Sequence, residues 1–263
     1  PAIDINGVTV DASNRAFMFG RLAVHDPHKI EAMAHAAHGD IDEEKISETL
    51  DDIIARRADY LTAYQNKDYA GRYIDTIERV RAAEQKIVAN STGLTEAVAR
   101  YYHKLLAYKD EYEVARLYTN GDFIKELKSQ FQGKYKIKFH MAPQIMEKPD
   151  TATGRPQKRE FGPWMMGALG LLAKCKGLRG TPFDVFGYHK DRKTERALIA
   201  EYEAMIDHVL TVLNAQNIDL CIEFLCLPDM VRGYGPVKEA NIEAVHRRKD
   251  EIMAQLSGNH NGA

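Results

Sequence analysis

Hydrophobic residues recur along most of the chain at the three- to four-residue spacing that marks one face of an amphipathic helix. In the first half this spacing predicts helices from about 14 to 25, 26 to 38, 42 to 65 and 68 to 90, then one from Leu94 and one over 109–119. The polar break between the two long helices predicts an antiparallel helical hairpin. The alternating opening, residues 3–10, predicts a short extended piece instead.

The middle of the chain loses the helical spacing. Residues 135–140, YKIKFH, alternate charged and apolar positions and predict a small β element near residues 134–140. The following segment, 146–163, is rich in Pro, Gly, Thr and basic residues, which is typical of a long exposed loop or a hairpin connection. We interpret it as the break between two helical halves, 26–145 and 146–263, preceded by residues 1–25.

Helical spacing returns in the second half. It predicts an apolar helix that ends at Gly177, a long helix over 192–214, an apolar helix that ends at Pro228 and a final helix from Pro236. Residues 179–188, RGTPFDVFGY, have no helical period and predict a compact aromatic loop. The expected fold is therefore mainly α, a multi-helix domain with a small β element and a short extended N-terminal piece.

Composition excludes several classes of protein. With 36 basic and 38 acidic side chains the net charge is -2, which disfavours nucleic-acid binding. No apolar run is long enough to span a membrane, and the opening does not resemble a signal peptide. Three cysteines, Cys175, Cys221 and Cys226, form no CxxC pair and cannot supply a four-cysteine zinc or iron–sulfur site. We therefore expect a reducing, cytoplasmic location.

The chain also lacks the common catalytic motifs: GxGxxG, GxxxxGK[ST], HExxH and GxSxG. We therefore predict no catalytic residue in this chain. Two histidine pairs, His25 with His28 and His35 with His38, have a spacing that would let each pair share a metal ion. Because no third ligand is evident, a solvated face of an Ala-rich helix is the preferred interpretation, and no metal is expected.

Two groups of residues are candidates for binding. Arg155, Lys158, Arg159 and Arg179 would form an anion site for a phosphate or carboxylate if they converge, although a solubilising loop with ordinary surface cations is the preferred interpretation for all but Arg179. The second group is aromatic and glycine-punctuated, and it either anchors an interface or fills the core between helices. Its candidate interface residues are Trp164, Phe183, Phe186 and Tyr188, with Arg232 and Tyr234 of a second glycine-rich loop.

Four segments carry a family resemblance: AYKDEYEVARLYT, TGRPQKREFGPW, KGLRGTPFDVFGY and PDMVRGYGPVKEAN. They resemble the carboxy-terminal region of the indolepyruvate ferredoxin oxidoreductase family, thiamine-diphosphate-dependent 2-oxoacid:ferredoxin oxidoreductases. The opening stretch, INGVTVDASNRAFMFGRLAVHDP, is similar to the tail of that family's gamma-type domain, which we assign to residues 1–25. The resemblance follows the same order and covers nearly the whole chain. Because the first residue is Pro1, we expect either a removed initiator Met or a piece of a longer chain.

The resemblance implies the reaction of a complete enzyme, the oxidative decarboxylation of an aryl pyruvate with electrons passed to ferredoxin. The family's thiamine-diphosphate motif and ferredoxin-type cysteine runs are not present in this sequence. Thiamine diphosphate, magnesium and iron–sulfur clusters are therefore expected in partner domains, and this chain alone is expected to be inactive. It would be an accessory domain that contacts gamma-type and thiamine-binding regions, and ferredoxin indirectly, through residues 161–188 and 228–238. The alternative is a stand-alone helical binding module for a phosphorylated or CoA-like ligand.

Overall fold

The computed structural model describes residues 10–30, 33, 49–131, 133, 136–141, 159–233 and 235–258. The chain divides into two compact units, Pro1–Glu48 and Thr49–Ala263. The described residues are mainly helical, with one small antiparallel sheet, which confirms the predicted fold class. Within these ranges, no helix combines the length and the apolar character needed to cross a membrane.

The first unit contains helix α1, Val10–His25, close to the predicted bounds. Residues 27–30 are again helical. Their start is capped as the sequence predicts, because the Asp26 carboxylate accepts a hydrogen bond from the backbone N–H of Lys29 at 3.1 Å. Most of the predicted extended piece, and the end of the predicted helix over 26–38, lie outside the described residues.

The second unit opens with two long helices, α2 (Leu50–Tyr64) and α3 (Lys67–Ile87). The predicted start of α2 at residue 42 is wrong. Thr49 has an extended backbone and forms a capping box, in which its hydroxyl accepts from the Asp52 N–H at 3.2 Å and the Asp52 carboxylate accepts from the Thr49 N–H at 3.3 Å. The break between the helices lies where it was predicted, and the Asn66 side chain caps α3.

The N-terminus of helix α4 (Gly93–Leu106) is capped by a carboxylate of α3 and not by the side chain of its own N-cap residue. Glu84, fully buried, accepts hydrogen bonds from the backbone N–H groups of Leu94 and Thr95, each at 2.9 Å, and from the hydroxyls of Ser91 and Thr95. These bonds satisfy donors at the start of α4 that have no partner inside the helix. The α3 carboxylate thereby fixes where α4 packs.

Helices α5 (Glu111–Thr119) and α6 (Asp122–Gln130) are separated by Gly121, whose φ of 99° requires a glycine. The end of α5 at Thr119 was predicted, whereas α6 was not, although its apolar residues Phe123, Ile124 and Leu127 recur at helical spacing and lie half-buried. The sheet pairs β1 (Phe139–Met141) with β2 (Arg159–Phe161), Phe139 opposite Phe161. Strand β1 is shorter than the predicted element and supports the hairpin interpretation of the segment that follows it.

The remaining helices are α7 (Met165–Lys174), α8 (Lys190–Val212), α9 (Ile218–Cys226) and α10 (Pro236–Gly258). Short 3-10 turns, Cys175–Leu178 and Leu227–Met230, extend α7 and α9. The predicted helices of the second half are thus confirmed, with shifts of a few residues at their ends.

The main core draws on both predicted halves of the chain. Tyr73, Ile77 and Tyr102 from α3 and α4 are fully buried in the same cluster as residues of α8, α9 and α10, including Tyr202, Phe224 and Ile252. The predicted division between residues 145 and 146 therefore does not appear in the packing. A smaller cluster joins α5, the sheet and α7 around Ala115, Phe139 and Leu169, and this cluster positions the candidate surface.

Candidate interaction surface

The aromatic loop, residues 179–188, is fastened at its first residue by a buried ion pair. Arg179 and Asp110 are only 8% and 2% exposed. The Nε and Nη2 atoms of Arg179 donate to the two carboxylate oxygens of Asp110 at 2.5 and 2.9 Å. Asp110 is also the N-cap of α5 and accepts from the backbone N–H of Glu113 at 2.8 Å. One carboxylate thus joins the loop to the start of α5.

The same guanidinium reaches α2. Its Nη1 donates to the carbonyl oxygen of Tyr64 at 2.9 Å and to the side-chain oxygen of Gln65 at 2.5 Å, and its centre lies 3.8 Å from the centre of the Tyr64 ring. Burial disfavours the charged guanidinium, but the hydrogen bonds to Asp110 and the electrostatic attraction of Tyr64, Asp110 and Tyr108 together outweigh it, so the pKa of Arg179 is raised above its ordinary value. Arg179 is therefore a permanently charged cross-link between the loop, α2 and α5.

A second buried carboxylate crosses the loop. Asp184, 3% exposed, accepts from the backbone N–H groups of Gly180 at 2.8 Å and Gly187 at 3.0 Å, and from the Tyr112 hydroxyl at 3.1 Å. A Cβ atom on Gly187 would lie 2.5 Å from the Asp184 carboxylate, so this turn needs a glycine. Phe186 packs edge-on against the Tyr112 ring, with 5.3 Å between ring centres. The inward side of the loop is fixed without regular secondary structure.

The outward side of this fixed loop is apolar and exposed. Phe183 is 77% exposed, Val185 64% and Tyr188 62%. Helix α7 presents two more such side chains, Trp164 immediately before its first residue and Leu171, at 65% and 68% exposure. We call these five side chains the apolar surface: Trp164, Leu171, Phe183, Val185 and Tyr188.

Helix α7 is apolar all round, although the fold uses only one side of it. Leu169 is its one fully buried residue and packs in the small cluster with Ala115 of α5. Trp164, Ala168 and Leu171, spaced four and three residues apart, lie exposed on another face. A surface helix of a monomer normally places polar residues there. Among the described residues of the second unit, none covers this exposed apolar face.

The structure places the predicted interface residues on both sides of this loop. Trp164, Phe183 and Tyr188 are exposed, so the interpretation of the aromatic residues as core is wrong for these three. Phe186 is half-buried against Tyr112 and supports the loop from inside. Tyr234 lies outside the described residues.

Arg232, the remaining predicted interface residue, is 70% exposed and lines a separate cleft of about 490 Å³. The cleft lies between the end of α4 and the starts of α5, α8 and α10. Its walls are joined by ion pairs, Arg192 with Glu111 at 3.2 Å and Lys238 with Glu195 at 2.5 Å. These pairs hold the N-terminal ends of α5, α8 and α10 together, and no local pattern of residues predicts them.

The predicted anion-binding residues are not available as a set. Arg155 and Lys158 lie outside the described residues, and Arg159 is exposed in β2. Arg179 uses four of its five N–H donors on Asp110, Tyr64 and Gln65. The anion that Arg179 binds is therefore the internal carboxylate of Asp110, a residue that sequence reasoning did not single out.

Metal ligands do not cluster in the part of the chain that the structure describes: no three His, Cys, Asp or Glu side chains there could hold an ion together. His25 and His28 are within that part, and His35 and His38 are outside it. Cys175, Cys221 and Cys226 are free thiols.

Comparison with known proteins places the chain in a family. Residues 50–251 match the model of a family described as "Family of unknown function (DUF6537)". The match spans the helices that build the main core and the candidate surface. No curated protein and no solved structure matches the chain. Since the family model covers more than half of the sequence, the chain belongs to the DUF6537 family.

Proposed function

We propose that this chain is a non-catalytic helical accessory domain that docks through the apolar surface onto its partners in an indolepyruvate:ferredoxin oxidoreductase-like enzyme. The main support for the docking role is the exposure of Phe183, which is 77% exposed on a loop whose backbone is fixed by Arg179 and Asp184. The partners, gamma-type and thiamine-binding domains, come from the sequence resemblance described above.

A fixed loop favours binding for an entropic reason. The ordering of loops and side chains at an interface makes an unfavourable contribution to the free energy of association. The backbone around Phe183 is already ordered, because the Asp184 carboxylate accepts from N–H groups on both sides of it. Large aromatic side chains on such a backbone are the residues that dominate interface free energies. The apolar surface has both properties.

The buried acids of this unit support a structural rather than a catalytic role. Asp110, Glu113 and Asp184 are each at most 3% exposed. All three accept hydrogen bonds from within the chain: Asp110 from Arg179, Glu113 from Tyr60 and Arg116, Asp184 from Tyr112. A general acid or base must reach the proton of a substrate, whereas these carboxylates face only protein groups. The chemistry of the proposed enzyme is therefore assigned to its thiamine-diphosphate and iron–sulfur partners.

The alternative, a stand-alone module for a phosphorylated or CoA-like ligand at Arg155, Lys158, Arg159 and Arg179, gains no support at its central residue. The side chain of Arg179 is 5% exposed, and its guanidinium is already paired with a carboxylate. A ligand would have to displace Asp110 from it.

Co-expression tests the proposal. The chain is produced with the gamma-type and thiamine-binding parts of an indolepyruvate:ferredoxin oxidoreductase and followed by size-exclusion chromatography. We expect co-elution, and we expect its loss when Phe183 and Tyr188 are both replaced by serine. Ile74→Ser, at a 39% exposed position on α3, is the matched control and should co-elute like the unaltered chain. Separate elution of the unaltered chain would contradict the proposal.

A further inference from the structure

A concave region of the second unit, separate from the residues of the apolar surface, is lined by several cationic side chains. It is an open hollow of about 620 Å³, formed mainly by one face of α2 and one face of α4. We call it the cationic hollow, and its lining includes Arg57, Tyr60, Arg100, Tyr101, His103, Lys104 and one carboxylate, Asp229.

Arg57 is half-buried in this lining without an acidic partner. Its Nη1 donates to the carbonyl oxygen of Ala99 at 2.6 Å, and no carboxylate of the described residues forms an ion pair with it. Burial lowers the pKa of Arg57, Tyr73 opposes that change, and the neighbouring cations Arg100 and Arg56 add to it. Charged side chains this far from water normally have an opposite charge beside them.

Lys104 is the second cation without a carboxylate partner. Its Nζ donates to the backbone carbonyls of Pro228 at 2.7 Å and Asp229 at 3.2 Å. The Asp229 side chain is instead paired with Arg232 at 2.7 Å. Burial lowers the pKa of Lys104 as well. The single carboxylate that lines the hollow is thus paired with Arg232 and forms no ion pair with Arg57 or Lys104.

His103 adds an unsatisfied polar atom at the same place. Its Nε2 is buried and has no hydrogen-bond partner in the described structure. Its ring packs against Tyr60 at 5.4 Å and Tyr73 at 6.1 Å between ring centres. The Tyr60 ring is itself held, because its hydroxyl donates to the buried carboxylate of Glu113. Buried polar atoms without partners are rare, and this one belongs to a residue that lines the cationic hollow.

We propose that the cationic hollow binds a small oxyanion, the phosphate or the carboxylate group of a soluble molecule, between the cations of α2 and α4. Arg57 and Lys104 supply charge, and Arg100 supplies a guanidinium that can pair with two oxygens. Arg100 is 48% exposed and paired with Glu96 one turn away, an interaction weak enough to be exchanged for a ligand. The rings of Tyr60 and Tyr101 flank the site and would contact the rest of the molecule.

Titration of the whole chain with inorganic phosphate, and separately with benzoate, tests the site. The ionic strength is kept constant with NaCl, and the His103 imidazole is followed by NMR. We expect a saturable shift of its resonances with at least one probe. Arg100→Gln should weaken that binding about fivefold, since it removes one charge-assisted contact. The matched control is Arg79→Gln, which replaces another exposed arginine that pairs with a carboxylate, Asp207, at 2.6 Å, and it should leave the binding unchanged.

The two probes distinguish the source of the oxyanion. Saturation with phosphate alone assigns a phosphorylated ligand, and saturation with benzoate alone assigns an aryl carboxylate. Shifts that stay linear with both probes would overturn the proposal. Equal weakening by Arg100→Gln and Arg79→Gln would also overturn it, because it would show a response to overall charge. Neither outcome depends on the docking of the apolar surface.

Discussion

Arg179 and Asp110 form a two-bond ion pair, with Nε to Oδ2 at 2.5 Å and Nη2 to Oδ1 at 2.9 Å. The two side chains are 5% and 3% exposed and come from segments 69 residues apart. Their contact decides where the aromatic loop lies, since Arg179 is the first residue of that loop and Asp110 begins α5. The positions of Phe183, Val185 and Tyr188 in the apolar surface therefore depend on this cross-link.

Breaking the pair should destabilise the chain strongly. Arg179→Gln leaves the Asp110 carboxylate buried without its cation, and we expect the free energy of unfolding to fall by about 3–5 kcal/mol. Urea denaturation followed by circular dichroism measures this. Arg232→Gln removes the exposed partner of Asp229 and should cost at most about 1 kcal/mol. Equal losses for the two variants would show that the buried pair does not hold the loop.

Glu84 should matter for stability although it belongs to neither the apolar surface nor the lining of the cationic hollow. Glu84→Gln keeps the shape of the side chain, but it removes the charge that accepts from the start of α4, and we expect a loss of about 2–3 kcal/mol. Glu78→Gln, at a 53% exposed position on the same helix, is the control and should change stability by less than about 0.5 kcal/mol.

The effect of Glu84 should also depend on pH. Burial opposes its charge, but hydrogen bonds from Thr95, Ser91 and the backbone outweigh burial and lower the pKa of Glu84. The charged side chain therefore contributes stability above the ordinary glutamate pKa of about 4.3, and loses it as the pH falls through the lowered value. The difference between the unaltered chain and Glu84→Gln should be full at pH 7 and shrink below about pH 4. A difference that stays constant to acid pH would contradict this.

His103 should titrate well below an ordinary histidine. Burial, then the charges of Arg57 and Arg56, lower its pKa to about 4. Between its ordinary pKa of about 6.5 and this value, the unfolded chain binds more protons than the folded one, so this residue makes stability fall as the pH falls. An NMR titration of the imidazole without added oxyanion should have its midpoint near pH 4. A midpoint near 6.5 would show that the ring is solvated.

Replacing each of the two phenylalanines of the aromatic loop should change the stability of the chain by very different amounts. Phe186 packs on Tyr112, so Phe186→Ser should cost about 2–3 kcal/mol of stability. Phe183 points outward and is 77% exposed, so Phe183→Ser should change stability by less than about 0.5 kcal/mol. Thermal unfolding of both variants measures the contrast. Similar losses would mean that Phe183 is part of the core.

The helices could be predicted from the sequence because each buries a stripe with a clear period. Helix α8, for example, buries a stripe from Leu198 to Val209 within the predicted range 192–214. Helix α6 was missed because it is short and its three apolar side chains are only partly buried. The start of α2 was misplaced because the acidic residues before Thr49 are equally compatible with a helix, and the capping box at Thr49 was not recognised.

The candidate surface could be predicted only in part, for a different reason. Trp164, Phe183 and Phe186 have the same composition signal whether they face the core or solvent. What separates them is the pairing of Arg179 with Asp110 and of Asp184 with Tyr112, contacts between segments about 70 residues apart. Such pairs have no local pattern, so a conspicuous arginine was interpreted as a ligand-binding residue.

The proposed docking of Phe183 and its neighbours onto a thiamine-diphosphate enzyme can be measured as a binding affinity. Binding of the chain to the gamma-type and thiamine-binding parts of an indolepyruvate:ferredoxin oxidoreductase can be measured by calorimetry, for the unaltered chain, Phe183→Ser and the Ile74→Ser control. We predict binding that Phe183→Ser weakens about 30-fold, the effect of losing one interface hot spot, and that Ile74→Ser leaves unchanged. No binding of the unaltered chain, or equal affinity for Phe183→Ser, would contradict the account.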